Sequence, residues 1–305
     1  MSDLMASRWR GQPGRLEVWY TTLTDPATGT GFWLHHELMA PTDGSPAYAH
    51  GLAAVFRSRS EPVHRRFGPV EWAPDPAKTF KAGPVEVTKT HLAGVAEDLA
   101  WDLRMHGGGA PLFTFPTWAW RREILPAAQI VPAPVAHYTG IITVGKKEIA
   151  IDQAPGATAH IYRRGNAKRW AWLHADLGNG DVLEVVAAVA SAPFMRGLRP
   201  LPLLKLRLDG EEHPNGDTLL AARRLRADIS LPTWRIHGRI GDHELDVVVT
   251  QPPGQTVTVP LLNPDGSRTL CHNSETATAD ITWAKRGRTE RTWHIADSAH
   301  AEVGG

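Results

Sequence analysis

The stretch His160–Asp176 reads HIYRRGNAKRWAWLHAD. As extended chain it places Trp170, Trp172, His174 and Asp176 on one face and Ala171, Leu173, Ala175 and Leu177 on the other. His160 and Tyr162 share a face of the segment before it. The polar break RRGNAKR between them, Arg163–Arg169, marks where one β unit ends and the next begins. Two indoles, an imidazole and a carboxylate in one row suit the wall of a ligand cavity better than an apolar sheet core.

Working outward, short runs of period two separated by Gly, Pro, Asp and Asn dominate, and long helical periodicity is nearly absent. RLEVWYTTL (Arg15–Leu23) and FWLHHELMA (Phe32–Ala40) read as a hairpin. Ala47–Phe56, Val85–Leu92, Leu99–Met105 and the hairpin around Gly145-Lys146-Lys147 continue the strands, and Leu112–Trp120 is dense in aromatics, with Pro116 interrupting any continuous strand. Ser58–Lys81 and Leu125–Pro134 read as connections. Beyond the break, Arg169–Leu177 and Asp181–Ala190 form a hairpin about Gly178-Asn179-Gly180, followed by short strands, one short helix within Leu219–Arg226, and a frayed tail from Ala296. These patterns predict an all-β protein of two tandem antiparallel barrel or sandwich domains, residues 1–164 and 165–305.

Composition narrows the function. Lys+Arg 33 against Asp+Glu 32 leaves no excess of positive charge for nucleic acid. No run of about 18 apolar residues offers a membrane span. MSDLMASRWRGQPG lacks the apolar stretch of a signal peptide. The single cysteine, Cys271, permits neither an internal disulfide nor a cysteine zinc site, so a cytoplasmic location is expected. Fifteen histidines include no HExxH and no tight ligand triplet, so no metal is expected. Twelve tryptophans imply an aromatic-lined interior.

The candidate chemistry follows from these faces. His160 with Tyr162 suits a general acid or a hydrogen-bonding clamp. Asp176 beside His174, and Glu37 beside Trp33 and His35, are candidate carboxylates; Glu37 in an apolar site is expected to have a raised pKa and act as an acid. Trp33, His35, Trp118, Trp120, Trp170, Trp172 and His174 are candidate ligand-binding residues. Each set also has a bland reading, as core packing or a solvent-facing row.

Taken in order, Glu17-Val18-Trp19-Tyr20, Phe32-Trp33-Leu34-His35, Leu99-Ala100-Trp101-Asp102-Leu103, Tyr138-Thr139-Gly140, Gly156, His160, Trp170-x-Trp172 and Gly178-Asn179-Gly180 resemble a known family. It is the two-domain lipocalin-like (calycin) group of hydroxyneurosporene synthases, or carotenoid hydratases, and AttH-like proteins. The resemblance covers the first domain and the first hairpin of the second. It implies tandem lipocalin-like domains and a cavity near the domain junction for an apolar terpenoid, polyketide or lipid. It also implies cofactor-independent hydration, isomerisation or cyclisation, and adds Trp101 and Tyr138 to the lining. One departure stands out: Ala159 precedes His160 where the hydratases tend to carry aspartate, leaving Asp176 or Glu37 to supply a carboxylate. The alternatives are a carbohydrate-handling β-protein and a non-catalytic structural or interaction module. Enclosed indoles favour an apolar ligand; an exposed tryptophan platform favours sugar.

Overall fold

The computed structural model describes residues 4–58, 60–189 and 199–305. Among them the chain forms two large antiparallel sheets, and the all-β, lipocalin-like expectation holds. Two compact units result. One comprises Met1–Pro111, Leu125–Gly165 and Leu262–Arg268; the other comprises Leu112–Ile124, Asn166–Leu261 and Thr269–Gly305.

The first sheet contains β1 (Arg15–Asp25), β2 (Thr30–Ala40), β3 (Tyr48–Arg57), β4 (Ser60–Glu71), β5 (Phe80–Ala82), β6 (Val85–Val87), β7 (His91–Ala96), β8 (Leu99–Gly108), β9 (Ala127–Val144) and β10 (Lys147–Arg163). Its order is β4-β3-β2-β1-β10-β9-β8-β7-β6-β5. The last long strand thus returns beside the first, and β4 approaches β5 and β7 across the opening. One face of the sheet builds the core: Trp19, Leu23, Phe32, Leu34, Leu38, Phe67, Phe80, Trp101 and Tyr138. Gly156 lets β10 lie close to β1, because a Cβ there would stand 2.1 Å from the Thr22 carbonyl oxygen.

The second sheet repeats the plan. It contains β11 (Arg169–Gly178), β12 (Asp181–Val189), β13 (Leu201–Leu208), β14 (Glu211–His213), β15 (Leu225–Asp228), β16 (Thr233–Ile240), β17 (His243–Thr250), β18 (Val257–Leu262), β19 (Arg268–Lys285) and β20 (Arg288–Gly304). The order is β14-β13-β12-β11-β20-β19-β17-β16-β15, with β18 pairing β19. Its core takes Ala171, Leu173, Ala175, Leu183, Val185, Trp234, Val247, Ile281 and Trp283.

Four segments depart from the pattern reading. Ser60–Glu71 is a strand whose alternation is hidden because it is an edge, dressed in Arg, Glu and Pro, the residues that discourage further pairing. Ala127–Val144 is a strand despite Pro132 and Pro134, because the β8 ladder reaches only to Val135 and the prolines sit where β9 has β10 alone beside it. Within Leu112–Trp120, Thr117–Arg122 is a short helix, α1, entered after Pro116, where a missing N–H costs nothing. The tail is no frayed end: Trp170 pairs with Gly304 and His174 with His300, so the last residues join β11 and close the sheet. The helix expected within Leu219–Arg226 covers Thr218–Ala222 (α2), and β15 follows at once.

Candidate functional site

Among the described residues both sheets bury titratable side chains, and three clusters join histidines to carboxylates. The first is inside the core of the first unit. Glu17 lies on β1 and His160 on the neighbouring β10. His160 Nε2 donates to Glu17 Oε1 at 2.7 Å, and its Nδ1 lies 2.7 Å from the Leu4 carbonyl oxygen. The Trp19 ring stacks on the imidazole at 5.0 Å. Glu17 also accepts from the Ser7 hydroxyl and from the Arg8 and Trp9 amides, at 2.8, 2.6 and 3.1 Å. Burial alone would raise its pKa; the hydrogen bond and charge of His160, with the Arg8 and Ser7 donors, outweigh burial and hold it below the ordinary value. So the proton partner that Ala159 cannot be is Glu17, and the pair fastens residues 4–9 to the barrel. Tyr162 is buried opposite Glu17, with the Arg8 guanidinium over its ring at 5.8 Å.

The second cluster lies on β2 and β3, facing away from that core. Trp33, His35 and Glu37 share this face, as the alternation predicts, and all three are buried. They are no edge row, because β2 runs between β1 and β3. His50, opposite Glu37 on β3, places Nε2 3.0 Å from its Oε1. His35 Nε2 is 3.9 Å from the other carboxyl oxygen. Burial pushes Glu37 up, but the charge and hydrogen bond of His50, then His35 and Arg163, carry it below its ordinary value. That reverses the raised pKa expected of an acid. Burial takes His35 down to about 3.

The third cluster is on the second sheet, on the face of β11 opposite its core. His174 pairs with Glu184 on β12 and with His300 on β20. His174 Nδ1 donates to Glu184 Oε2 at 2.9 Å, and Trp172 Nε1 donates to Oε1 at 2.6 Å. Glu184 therefore fixes the imidazole tautomer. His174 Nε2 is buried with no hydrogen-bond partner. Beside it, at 5.8 Å between rings, is His300, whose Nδ1 is 2.5 Å from Glu275 Oε2. A bulge in β19 between Ser274 and Ala277 makes this contact possible. It lets Glu275 reach His300, although Ala277, Ala279 and Ile281 at the same sequence parity belong to the core. Burial raises Glu275 well above the ordinary carboxyl value, against weaker pulls from Asn273 and His174. Burial, then the charge of His174, drives His300 well below its own. Glu275 and His300 thus share one hydrogen bond in a site closed to solvent.

The remaining candidates fall elsewhere. Trp170 is buried and donates to Glu302, and a Cβ on Gly304 would enter its ring at 2.1 Å. Asp176 does not meet His174; its Oδ1 accepts from the Gly178 amide at 2.8 Å and caps the hairpin. Trp101 and Tyr138 are in the first core, and α1 carries Trp120 buried and Trp118 exposed. Glu17, His50, Glu184, Glu275 and His300 were not singled out from sequence. Glu17 and Glu184 carry a signal: each is one acid in an apolar run, LEVW and VLEVV. Among the described residues no group of three or more His, Cys, Asp or Glu is arranged to hold a metal ion, and no helix is long and apolar enough to cross a membrane.

Two sheets of one plan, each with buried acids matched to histidines, define a two-domain lipocalin-like protein. The chain belongs to the tocopherol cyclase-like family, whose profile matches residues 111–305. It is 44% identical over 298 residues to the uncharacterized proteins MT0513 and Rv0493c of two Mycobacterium tuberculosis strains, covering 97% of this chain and 88% of each relative. Among solved structures, kievitone hydratase from Nectria haematococca matches with a TM-score of 0.59 at 12% identity, over 100% of this chain and 92% of that one. CghA with Sch210972 matches at 0.63 and 14%, over 99% and 96%. An AttH-type protein from Nitrosomonas europaea matches at 0.54 and 14%, over 95% and 92%. At these identities the structural likenesses establish the fold.

Proposed function

We propose that the protein binds an apolar small molecule, a terpenoid, polyketide or lipid, and carries out cofactor-independent proton transfer on it at the Trp172–His174 face. The observation that carries this is the bare Nε2 of His174, with Nδ1 held by Glu184. A buried imidazole whose Nδ1 is held by a carboxylate and whose Nε2 has no partner offers that nitrogen to a substrate proton. Glu275 is the complementary acid. In a hydration or cyclisation the Glu275 proton forms the new C–H bond to an alkene. The carbon left electron-poor takes the oxygen of water or of a substrate hydroxyl, and His174 Nε2 removes the proton of that oxygen. The proton returns to Glu275 by way of His300, leaving the protein unchanged. The flanking indole of Trp172 stabilises developing positive charge.

The names of relatives support this class: one neighbour is a hydratase, and the family is named for a cyclase. Buried indoles at Trp33, Trp170 and Trp172 favour an apolar ligand over a sugar platform. The test begins with solvent extraction and native mass spectrometry of the purified protein. It continues with a panel of isoprenoids and prenylated phenols incubated in D2O, read by mass spectrometry. The expected result is a bound apolar molecule and deuterium fixed at carbon. His174→Gln and Glu275→Gln each reduce that incorporation about 10²–10⁴-fold without loss of fold. If no compound binds or gains deuterium, or if both variants match wild type, the proposal fails.

A further inference from the structure

The first unit contains a cavity of about 290 Å³ that meets the first cluster only at Leu4. Its origin is in the backbone. The β8–β9 ladder stops at Gly108 opposite Val135, and the stretch of β9 before it, with Pro132 and Pro134, runs on beside β10 alone. The three glycines Gly107–Gly109 carry β8 away with φ of +72, +124 and +67, a path closed to most side chains. A gap opens between the diverging strands.

The walls of the gap are apolar: Leu4, Met5, Val87, Leu92, Met105 and Ala133. Two of them belong to the N-terminal segment, which the barrel holds at its backbone. Trp19 Nε1 donates to the Met5 carbonyl at 2.9 Å, and His160 Nδ1 reaches that of Leu4. Thr88, Lys89 and Thr158 are the polar side chains that line the cavity, and the Thr158 hydroxyl is on a residue only 4% exposed. Its Oγ1 is 2.7 Å from the Tyr138 hydroxyl and 3.0 Å from that of Thr21. Its remaining contact is the Met105 thioether at 3.8 Å, a weak acceptor. Burial raises Tyr138 far above its ordinary value, so this trio remains a set of neutral hydroxyls.

We infer that this cavity is a second ligand site, for a small apolar molecule bearing one carbonyl or hydroxyl oxygen. The volume lies at the low end of the roughly 300–1,000 Å³ of small-molecule sites. At ~30 Å³ of liquid-like space per heavy atom it holds about ten such atoms. The apolar walls take the hydrocarbon body. Thr158, backed by Tyr138 and Thr21, offers the ligand oxygen a hydroxyl donor in place of the thioether. Among the described lining residues Lys89 is the one charged side chain, and the buried Thr158 hydroxyl is the neutral partner for the ligand oxygen.

Carvone and limonene test this directly, because they share a carbon skeleton and differ in one ketone. Of the five methionines, Met5 and Met105 line the cavity, whereas Met39 is buried elsewhere. Labelling the methionine methyls with 13C reports the site in the intact protein. Carvone is expected to shift the Met5 and Met105 signals and leave Met39 in place, and to bind more tightly than limonene. Thr158→Val is expected to weaken carvone about fivefold to tenfold, the worth of one hydrogen bond, and to leave limonene unchanged. Ala133→Phe fills the space and abolishes both shifts, and His174→Gln alters neither. Saturating carvone without movement of Met5 and Met105 overturns the site. Equal weakening of both probes by Thr158→Val overturns the role of the hydroxyl.

Discussion

Glu17–His160 in the first unit and Glu275–His300 in the second are the same two residue types, buried, in contact, and joined across neighbouring strands. Their chemistry is opposite. Glu17 receives hydrogens from His160, the Ser7 hydroxyl and two backbone amides, and lies below its ordinary pKa. For Glu275 burial prevails over Asn273 and His174 and raises the carboxyl well above its ordinary value. Burial is common to both, so it cannot decide the outcome. At Glu17 the His160, Ser7 and Arg8 donors outweigh burial, and at Glu275 Asn273 and His174 do not.

Replacing each glutamate by its neutral isostere breaks the comparison most sharply. Glu17→Gln removes an ion that four donors were built around and leaves the His160 cluster buried without it. The expected cost is about 3–5 kcal/mol, the range for breaking a buried ion pair. Glu275→Gln exchanges one neutral group for another of similar shape, and its expected cost is below about 1.5 kcal/mol. Urea unfolding followed by tryptophan fluorescence measures both. Equal costs for the two variants would mean that the pairs share one ionisation state and that the contrast is wrong.

The contrast also shows what a sequence carries. Alternation along WAWLHAD correctly put Trp172 and His174 on one face of β11 and Leu173 on the other, since faces depend only on neighbours along the strand. Hairpins closed by Gly-Asn-Gly were legible for the same reason. Partners were not. His160 meets Glu17 across 143 residues, through the pairing of the first and last strands of a sheet. Glu275 reaches His300 because β19 bulges, and no periodicity announces a bulge. Pro132 and Pro134 read as loop because their tolerance depends on an absent neighbour, and the final strand read as tail because its partner, β11, lies far back in the chain. Asp176 and Glu37, the carboxylates expected for His160, are held by Gly178 and His50 instead, because the fold selects partners by register.

A third buried histidine sharpens the comparison, because it has no carboxylate. His36 sits inside the first core between Phe67 and Phe80, with ring centroids at 5.7 and 5.1 Å, and Nδ1 donates to the Trp19 carbonyl at 3.2 Å. Burial lowers its pKa to about 4, partly opposed by that hydrogen bond. Above pH 6.5 the residue is neutral both folded and unfolded, and its stability contribution is intact. As the pH falls, the unfolded chain takes up a proton that the folded chain refuses until about pH 4. Stability is therefore lost across that window, by about 3 kcal/mol in all for 1.36 kcal/mol per pKa unit. His35, brought to about 3, adds loss of the same sign. In His36→Phe the stability curve should be flatter between pH 6.5 and 4, measured by urea unfolding at each pH. A curve parallel to wild type would mean that His36 is protonated in the fold.

The smallest expected effect belongs to Asp176, the carboxylate nearest His174 in sequence. Its Oδ1 holds the Gly178 amide at an exposed turn, so Asp176→Ala should cost less than about 1 kcal/mol. Its only bearing on the acid–base set is through space. The negative charge raises His300 slightly, against the larger lowering by burial and by His174. Removing the charge moves His300 further down, toward the neutral form it already has. The acid form of Glu275 is left in place, and proton transfer should change less than about threefold where His174→Gln changes it by orders of magnitude. The deuterium-incorporation assay compares the two variants side by side. A collapse of incorporation in Asp176→Ala would transfer the role of base partner from Glu184, across the strands, back to the residue two places along the same one.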